Sequence, residues 1–563
     1  MKRLSRLLWI GAIAVAALVA CGRGEPVSSP RGFSPSPTRG YLLISIDTLR
    51  SDHLGSYGYS LPTSPFLDEL AARATLFEHV VAPYPATLPS HMSIFTGLYP
   101  AEHGVLPPNR VLSAEIETLP EAFRRAGFRT AGHSEGGFVA GYLGFQRGFE
   151  EWSDTPYSAE SDVARTLGRG LAFLRGLGPQ ERFFLFLHTY SVHDPYDPPE
   201  PYRAQFWSGP PVAGPPPTGE TLSAVNLGLA EVSPETARYF TALYDAGIRY
   251  LDEQLRRFFA ELRALGLDRE TTIVLTSDHG EEFLDHGRLG HSQTYRENLE
   301  VPLLLLHPGQ NRGERVRSLV ELTDIAPTLV ELAGLAGLAG LAGIAGPQGM
   351  SGRSLAPFLR DPQAPGKGFA FAEVGLGREE RSLFLEQDGA VHHLLLLRPR
   401  GERDGTWITK EVTFDCEGAS VELAALSYRS PRRVEVAVDG RPLPALELTG
   451  GWQRFSLTLP PGDGVRRITL GAPDCESPLL LGLGSDVRCL SFKLRGPRLE
   501  RRELYRVDQD PAERRDRARA QPELLRELDR RLGELHFKLA APPAAGVHSP
   551  EQEQALRALG YLR

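Results

Sequence analysis

The feature that most constrains the fold is an alternation of short apolar runs with amphipathic stretches, which begins at Tyr41. Residues 41–46 read YLLISI and residues 272–276 read TIVLT, and both runs are typical of strands buried on two faces. Further strands are predicted over residues 183–187 and 301–306, and helices over residues 64–76 and 119–126. The alternation predicts an α/β fold with a doubly wound, mostly parallel sheet.

Polar residues follow two of these strands directly. Asp47 ends the first strand, and Asp278 and His279 follow the run at residues 272–276. Open α/β sheets bind ligands beyond the carboxyl ends of their strands. Carboxylate and imidazole groups that meet there are suitable ligands for one divalent metal.

A hydroxyl at a predicted helix start completes this set. In residues 84–100, YPATLPSHMSIFTGLYP, Pro89 suits the first turn of a helix, so Thr87 is predicted at its positive end. Free backbone N–H groups and the helix dipole would stabilise an anionic substrate and an attacking alkoxide there. An ordinary helix cap is the alternative interpretation of Thr87.

Four segments in this order resemble the sulfatase family of the alkaline phosphatase superfamily. They are SIDTLRSDHLGSYGY, PSHMSIFTGLYPAEHGV, SDHGEEFLDHG and LTDIAPTLVELAG, and the resemblance returns in ELYRVDQDPAE. It covers about residues 41–360 and 503–513. The resemblance implies an alkaline-phosphatase-like fold and a metal-dependent hydrolase of ester bonds.

The chain departs from the family at the nucleophile. Sulfatases carry Cys or Ser, any residue, Pro, Ser and Arg, and oxidise the first residue to formylglycine, whereas this chain has Thr87-Leu88-Pro89-Ser90-His91. Oxidation of threonine would give a ketone, so we expect no formylglycine. A covalent Thr87 ester would then be cleaved by water at phosphorus or sulfur, as in metal-assisted phosphoryl transfer. Threonine nucleophiles resemble those of superfamily phosphodiesterases, phosphonate hydrolases and phosphoethanolamine transferases.

The expected metal ligands are Asp47, Thr87, Asp278 and His279. Compared with the family pattern they lack one carboxylate and add one imidazole, which favours zinc or manganese over calcium. The family's Gly-Lys strand motif is also missing, and His133 stands in that region without a lysine.

Four other histidines are candidates for the site. By resemblance His193, in the segment HTYSVHDPY, faces the substrate, and His291 stands where the family contacts the transferred group. We expect both to be catalytic. As alternatives, His291 could complete a second metal site, and His188 and His193 could be histidines of a surface loop. His91 and His188 are expected to bind substrate. Glu281, Glu282 and Asp285 are interpreted as a solvated acidic turn.

The N-terminus predicts export. Residues 1–21 have a basic start, an apolar stretch and Leu-Val-Ala before Cys21, as in a bacterial lipoprotein signal in which Cys21 becomes lipidated. A membrane anchor is the alternative. Residues 22–39 are expected to be a flexible tether. The expected location is the cell envelope, lipid-anchored on the periplasmic face, at the outer rather than the inner membrane.

The remaining chain divides into three parts. Residues 40–400 are predicted to form the catalytic domain, 401–497 an inserted antiparallel β-sandwich, and 498–563 a segment that completes the catalytic domain and adds a helical tail. Aromatic residues Trp407, Tyr428 and Trp452 could stack on a carbohydrate or pack in the core. One disulfide is expected among the three cysteines of this region, Cys416, Cys475 and Cys489.

These observations predict a sulfatase-family hydrolase or transferase of phosphate, phosphonate or sulfate esters with Thr87 as nucleophile. The net charge of −8 argues against nucleic-acid binding, and small-molecule, glycan or lipid esters are the expected substrates. A true sulfuric ester hydrolase without formylglycine, a silent protein that binds anionic glycans and an envelope scaffold are the alternatives.

Overall fold

The computed structural model describes most of the chain between residues 38 and 535. The described ranges are 38–106, 111–154, 162–308, 310, 313–335, 349–374, 380–397, 406–408, 411–416, 419–427, 431–449, 451–461, 465–473, 492–495 and 500–535. The predicted signal, with Cys21, and most of the tether lie outside these ranges.

The described strands follow the alternation of the sequence. They are β1 Gly40–Ile46, β2 Thr75–Phe77, β3 Val80–Val81, β4 Arg129–Ser134, β5 Glu151–Asp154, β6 Phe183–Thr189, β7 Thr271–Thr276, β8 Glu282–Phe283, β9 Leu289–Gly290, β10 Leu303–Leu306, β11 Glu314–Val316, β12 Val320–Glu321, β13 Phe369–Val374, β14 Glu380–Gln387, β15 Ala390–Leu397, β16 Thr406–Ile408, β17 Glu411–Cys416, β18 Ser420–Ser427, β19 Arg432–Val438, β20 Arg441–Leu448, β21 Gln453–Thr458, β22 Arg466–Gly471, β23 Phe492–Arg495 and β24 Arg501–Arg506.

The α-helices lie mainly between the strands of the first half. They are α1 Pro65–Ala71, α2 Thr87–Thr96, α3 Pro100–His103, α4 Leu119–Arg125, α5 Val163–Arg175, α6 Tyr202–Phe206, α7 Gly219–Asn226, α8 Pro234–Ala264, α9 Arg296–Leu299, α10 Ile325–Leu332 and α11 Pro522–Glu534.

Among the described residues, eight strands form the central sheet in the order β11-β2-β10-β7-β1-β6-β4-β5. Strand β1 pairs in parallel with β6 and β7, and only β10 runs against the others. The predicted mostly parallel, doubly wound α/β sheet is therefore confirmed. Because β1 lies between β6 and β7, polar residues that follow these strands meet at one edge of the sheet.

Side chains of β1 alternate between two cores, as the period of a strand requires. Leu42 and Ile44 pack into the core that includes α8, while Tyr41 and Leu43 pack into the core that includes α2. Every residue of β1 is buried, which explains why its sequence is apolar except for Ser45, whose Oγ contacts His91 Nε2.

One helix is shorter than the sequence predicts. The expected helix over residues 64–76 ends at Ala71, and Leu76 belongs to strand β2, which pairs antiparallel with β10. Thr75 and Leu76 gain ladder hydrogen bonds and burial between β10 and β11, so tertiary pairing overrides the helical periodicity.

The second half contains three four-stranded antiparallel sheets in the part of the chain that is described. The first is β13-β14-β15-β24, and α11 packs on it through Leu525, Leu528 and Leu532. The other two, β16-β23-β18-β21 and β17-β22-β19-β20, enclose one apolar core and follow β15 in the chain before β24. Buried and exposed residues alternate along β19, as is typical of a sheet with one solvent-exposed face.

Several expectations for this region fall outside the described residues. Cys475, Cys489 and Tyr428 are not described, nor is the side chain of Trp407, while Cys416 and Trp452 are half-buried. The disulfide and the carbohydrate-stacking role therefore stay predictions. No described helix is long and apolar enough to span a bilayer.

Candidate active site

The ends of β1 and β7 bring Asp47, Asp278 and His279 together. All three side chains are fully buried, and one ligand atom from each lies within 4.8 Å of the others. The backbone turns sharply after β1, where Thr48 has a φ of 56° and its N–H lies 3.4 Å from Asp278 Oδ1. The turn therefore holds the first strand end against the second.

Thr87 reaches the same point from the start of α2. Ala86 is the N-cap residue and Thr87 the first helical residue, so the helix begins at Thr87. Its Oγ1 lies 3.3 Å from His279 Nε2. Thr87 is 3% exposed, and its hydroxyl sits where free N–H groups and the helix dipole favour negative charge.

The donor set fits a divalent cation. Asp47 Oδ1 and Asp278 Oδ2 are buried acceptors without a hydrogen-bond partner among the described residues. Buried carboxylate oxygens are costly unless a donor or a cation neutralises them. His279 adds an imidazole whose Nδ1 lies 2.9 Å from the Gly280 carbonyl oxygen, so Nε2 is the nitrogen that can ligate.

The electrostatics of the site agree with this arrangement. Burial, and next the charge of Asp278, raise the pKa of Asp47 well above its usual value, since two buried carboxylates repel each other. Burial lowers the pKa of His279 to about 4 and holds the pKa of His188 well below its usual value. Neutral imidazoles beside unsatisfied carboxylates are the form that binds metal.

His188 and His91 are buried beside this triad rather than exposed at an open surface. His188 Nε2 lies 3.2 Å from Asp47 Oδ2. His91 is fully buried, with Nδ1 2.9 Å from the Thr87 carbonyl oxygen and Nε2 2.8 Å from Ser45 Oγ. Both nitrogens of His91 thus have partners in the protein, and the expected contact of His91 with substrate stays a prediction.

His193 and His291 form the outer side of the site. Their ring centroids lie 5.2 Å apart, and the His291 ring lies 4.3 Å from that of His279. His291 Nδ1 lies 3.1 Å from Glu281 Oε1. Burial by itself lowers the pKa of His291, but the charge and hydrogen bond of Glu281 outweigh it and raise the pKa. The two histidines therefore stand beside the triad, and their expected catalytic roles stay predictions.

Two of the three acids of the turn are not solvated as expected, whereas Asp285 is exposed. Glu281 and Glu282 are fully buried, and Arg50 Nη1 donates to both the Glu281 carbonyl oxygen and Asp285 Oδ2, at 3.0 and 3.2 Å. Glu281 pairs with His291, while Glu282 accepts from the backbone N–H groups of His286 and Arg288. In the sequence, the feature that could have indicated a place for Glu281 in the site is its position directly after Asp278-His279-Gly280.

The C-terminal segment holds the loop that carries His291. His286 Nδ1 lies 2.6 Å from Glu297 Oε1, and its Nε2 lies 3.3 Å from the Glu513 carbonyl oxygen. The backbone N–H of Arg296 donates to Glu513 Oε2 at 3.0 Å. The late segment ELYRVDQDPAE therefore contacts the site region directly.

His133 lies away from these contacts. It is buried on β4, where its Nδ1 lies 2.7 Å from Ser153 Oγ, and burial lowers its pKa to about 4. A neutral, buried imidazole does not supply the positive charge of the family lysine.

Comparison with known proteins identifies the family of the chain. The Sulfatase family model matches residues 39–335. An arylsulfatase from Clostridium perfringens is 24% identical over 356 residues, covering 52% of this chain and 74% of that protein. The multifunctional alkaline phosphatase superfamily protein PehA of Trinickia caryophylli is 26% identical over 449 residues, covering 62% and 83%.

Solved structures show the same fold. A phosphonate monoester hydrolase from Silicibacter pomeroyi aligns with a TM-score of 0.51 and 21% identity, covering 64% of this chain and 88% of that one. Since the family model spans more than half of the chain, this chain belongs to the sulfatase family of ester hydrolases.

Proposed function

We propose that this chain cleaves phosphate or phosphonate esters, or transfers their phosphoryl group, with Thr87 as the nucleophile. The observation that carries the proposal is the position of the Thr87 hydroxyl at the start of α2, 3.3 Å from His279 Nε2 and beside unpartnered carboxylate oxygens. A nucleophile next to a metal-type donor set is the arrangement of metal-assisted displacement.

The chemistry of threonine favours phosphorus over sulfur. A hydrated aldehyde has one hydroxyl to attack and a second whose deprotonation expels sulfate, whereas Thr87 has a single hydroxyl. In the first step the Thr87 oxygen bonds to phosphorus and the alcohol leaves with a proton. In the second, water bonds to phosphorus and the Thr87 oxygen leaves and regains its proton.

The residues Asp47, Asp278 and His279 would hold the metal, with the Thr87 oxygen as a further ligand. When bound, a divalent cation neutralises the two carboxylates, lowers the pKa of the hydroxyl and stabilises charge on the transferred group. Two carboxylates with an imidazole favour zinc or manganese over calcium.

The outer histidines have roles set by their contacts. Glu281 occupies Nδ1 of His291, so Nε2 is the nitrogen that can donate to a substrate oxygen. His193 lies 5.2 Å from it, centroid to centroid, and can contact a second oxygen of the same group. Either side chain can protonate the leaving alcohol.

The relatives also suggest a second candidate function. The arylsulfatase match favours a sulfuric ester hydrolase that works without formylglycine, and the phosphonate monoester hydrolase favours phosphorus. The substrate is a small-molecule or glycan ester in either case. A silent protein that binds anionic glycans would keep the fold but show no turnover.

The same proposal includes attachment to the cell envelope through Cys21, as the N-terminal sequence indicates. A Cys21→Ser variant expressed in a bacterial host should lose lipid labelling and leave the membrane fraction. Wild-type protein that carries no lipid would refute this part alone.

Turnover of aryl phosphate, phosphodiester, phosphonate and sulfate substrates, each with zinc, manganese or calcium restored, tests the reaction. We expect phosphorus-selective turnover, and Thr87→Ala should lower kcat by about 10³ or more because the nucleophile is lost. Thr87→Ser keeps the hydroxyl and is the matched control, with a much smaller loss. Sulfate-selective turnover would refute the preference for phosphorus, and no turnover with any metal would favour the binding protein.

A further inference from the structure

A short helix outside the triad contacts the segments that carry both outer histidines. This helix, α7, lies in the connection between β6 and α8, and its last residue is Asn226. Asn226 Nδ2 donates to the Leu289 carbonyl oxygen at 2.7 Å, and Asn226 Oδ1 accepts from the Leu289 N–H at 3.0 Å. One side-chain amide thus satisfies both backbone groups of a residue two positions before His291.

The packing beside this pair is equally local. Strand β9, Leu289–Gly290, pairs on its other side with β8, so Asn226 occupies the edge of that hairpin. Gly290 has a φ of +83°, and Leu222 of α7 lies directly over it, 3.5 Å from where a Cβ would stand. The backbone entering His291 is therefore fixed from both sides.

The opposite end of α7 contacts the residue after His193. A Cβ at Gly219 would stand only 3.1 Å from Asp194 Oδ2, so the helix start lies against this carboxylate. Asp194 in turn holds His193, whose Nδ1 lies 2.8 Å from the Asp194 carbonyl oxygen. Thr218 caps the helix by accepting from the Thr221 N–H at 3.4 Å.

We infer that α7 sets the spacing of His193 and His291, and that Asn226 is the positioning residue for His291. This inference rests on the proposed function, in which both histidines contact the transferred group. Asn226 acts through the Leu289 backbone and not on the substrate. Glu281 fixes the His291 ring, while Asn226 fixes the chain that carries it.

The size of the effect follows from the contacts. Asn226→Ala removes two hydrogen bonds and leaves a backbone N–H and C=O without their partner. A displacement of about 1 Å at a catalytic group can cost about 10²-fold in rate, so a loss of about 10- to 100-fold is expected. Most of it should fall on kcat, because the histidine contacts strengthen in the transition state.

The test is a double-mutant cycle in the full-length protein with the substrate and metal that give turnover. Asn226→Ala should lower kcat by about 10- to 100-fold in the wild-type background and by less than about threefold in the His291→Ala background. Ser223→Ala, an exposed change on the same helix, is the matched control and should leave kcat unchanged. Equal losses in both backgrounds, or no loss in either, would overturn the inference.

Hydrogen exchange separates failure of this inference from failure of the proposed function. Amides of residues 284–292 should exchange at least about tenfold faster in Asn226→Ala than in wild type or Ser223→Ala, since the Leu289 N–H loses its acceptor. If wild type shows no turnover, the proposed function fails, and exchange alone decides on the positioning role. Unchanged exchange in Asn226→Ala would refute that role whatever the activity.

Discussion

Replacing Asp47 with asparagine should change stability in opposite directions with and without metal. Without a cation, Asp47 and Asp278 present buried carboxylate oxygens to each other within 4.8 Å, and one oxygen of each has no hydrogen-bond partner among the described residues. Asp47→Asn keeps the shape of the side chain and removes one charge. Metal-free Asp47→Asn should therefore be more stable than metal-free wild type.

The magnitude follows from the distance. Two unit charges at that separation repel by about 3.5 kcal/mol with an effective dielectric constant of about 20. A hydrogen bond from His188 Nε2 to Asp47 Oδ2 offsets part of this repulsion, and Asp47 escapes part of it by binding a proton, because its pKa is raised. A net gain of about 1–3 kcal/mol is expected for the variant.

With metal the order should reverse. A cation at 1,000 times its dissociation constant stabilises native wild type by about 4.1 kcal/mol, which exceeds the gain of the metal-free variant. A variant that has lost one carboxylate ligand and binds the cation about 1,000-fold more weakly is stabilised by less than about 1 kcal/mol. Thermal unfolding at pH 8, with chelator and then with excess zinc or manganese, measures both differences. Asp245→Asn is the matched control, because Asp245 is buried and paired with His53 Nδ1 at 2.7 Å, away from the triad.

The control should be less stable than wild type in both conditions, since it breaks a satisfied pair. The reasoning fails if Asp47→Asn is also less stable than wild type in chelator. It fails equally if zinc and manganese stabilise wild type and Asp47→Asn by the same amount.

Two further predictions concern stability away from the triad. The pKa of His286 is raised to about 9, because Glu297 outweighs the effect of burial, so its stabilisation is complete below pH 6.5 and is lost as the pH rises through about 9. The free energy of unfolding of wild type should fall by up to about 3 kcal/mol between about pH 6.5 and 9.5, measured by denaturant unfolding at these two pH values. His286→Phe keeps the stacking on Tyr295 and should show a much smaller fall. An equal fall in wild type and variant would contradict this prediction. Gly168→Ala, on an open face of α5, should raise the free energy of unfolding by about 0.5–1 kcal/mol. Gly170→Ala should not raise it, because its Cβ would stand 3.0 Å from Leu187 Cδ2. Equal effects of the two changes would refute the packing argument.

The sequence predicts the strand ends well because their signal is local. Buried parallel strands appear as short apolar runs, and Asp47, Asp278 and His279 follow such runs directly. Pro89 similarly indicates a helix start close to Thr87. Once the strands are placed, the rule for parallel sheets brings these side chains together, and the structure does so.

Other contacts of the site depend on tertiary packing that no local pattern shows. Glu281 looks like one of several acids in a turn, and no local pattern shows that it is buried and paired with His291. Asn226 and Glu513 are distant in sequence from the residues they contact, and their types are common on any surface. The early end of α1 has the same origin, since Leu76 satisfies a helical period and a strand pairing at once.

The insertion of two sheets between β15 and β24 has a consequence for the order of folding. Leu394 pairs with Leu504 across the whole inserted segment, so this ladder closes a very long loop. A formed sandwich shortens that loop, because Asp415 on β17 accepts from the Arg502 N–H at 2.9 Å and its own N–H reaches the Glu500 carbonyl oxygen at 2.7 Å. The segment with Glu513 would then join the His286 loop last, so a chain still being synthesised would have its nucleophile and metal ligands in place before that loop receives its C-terminal contacts.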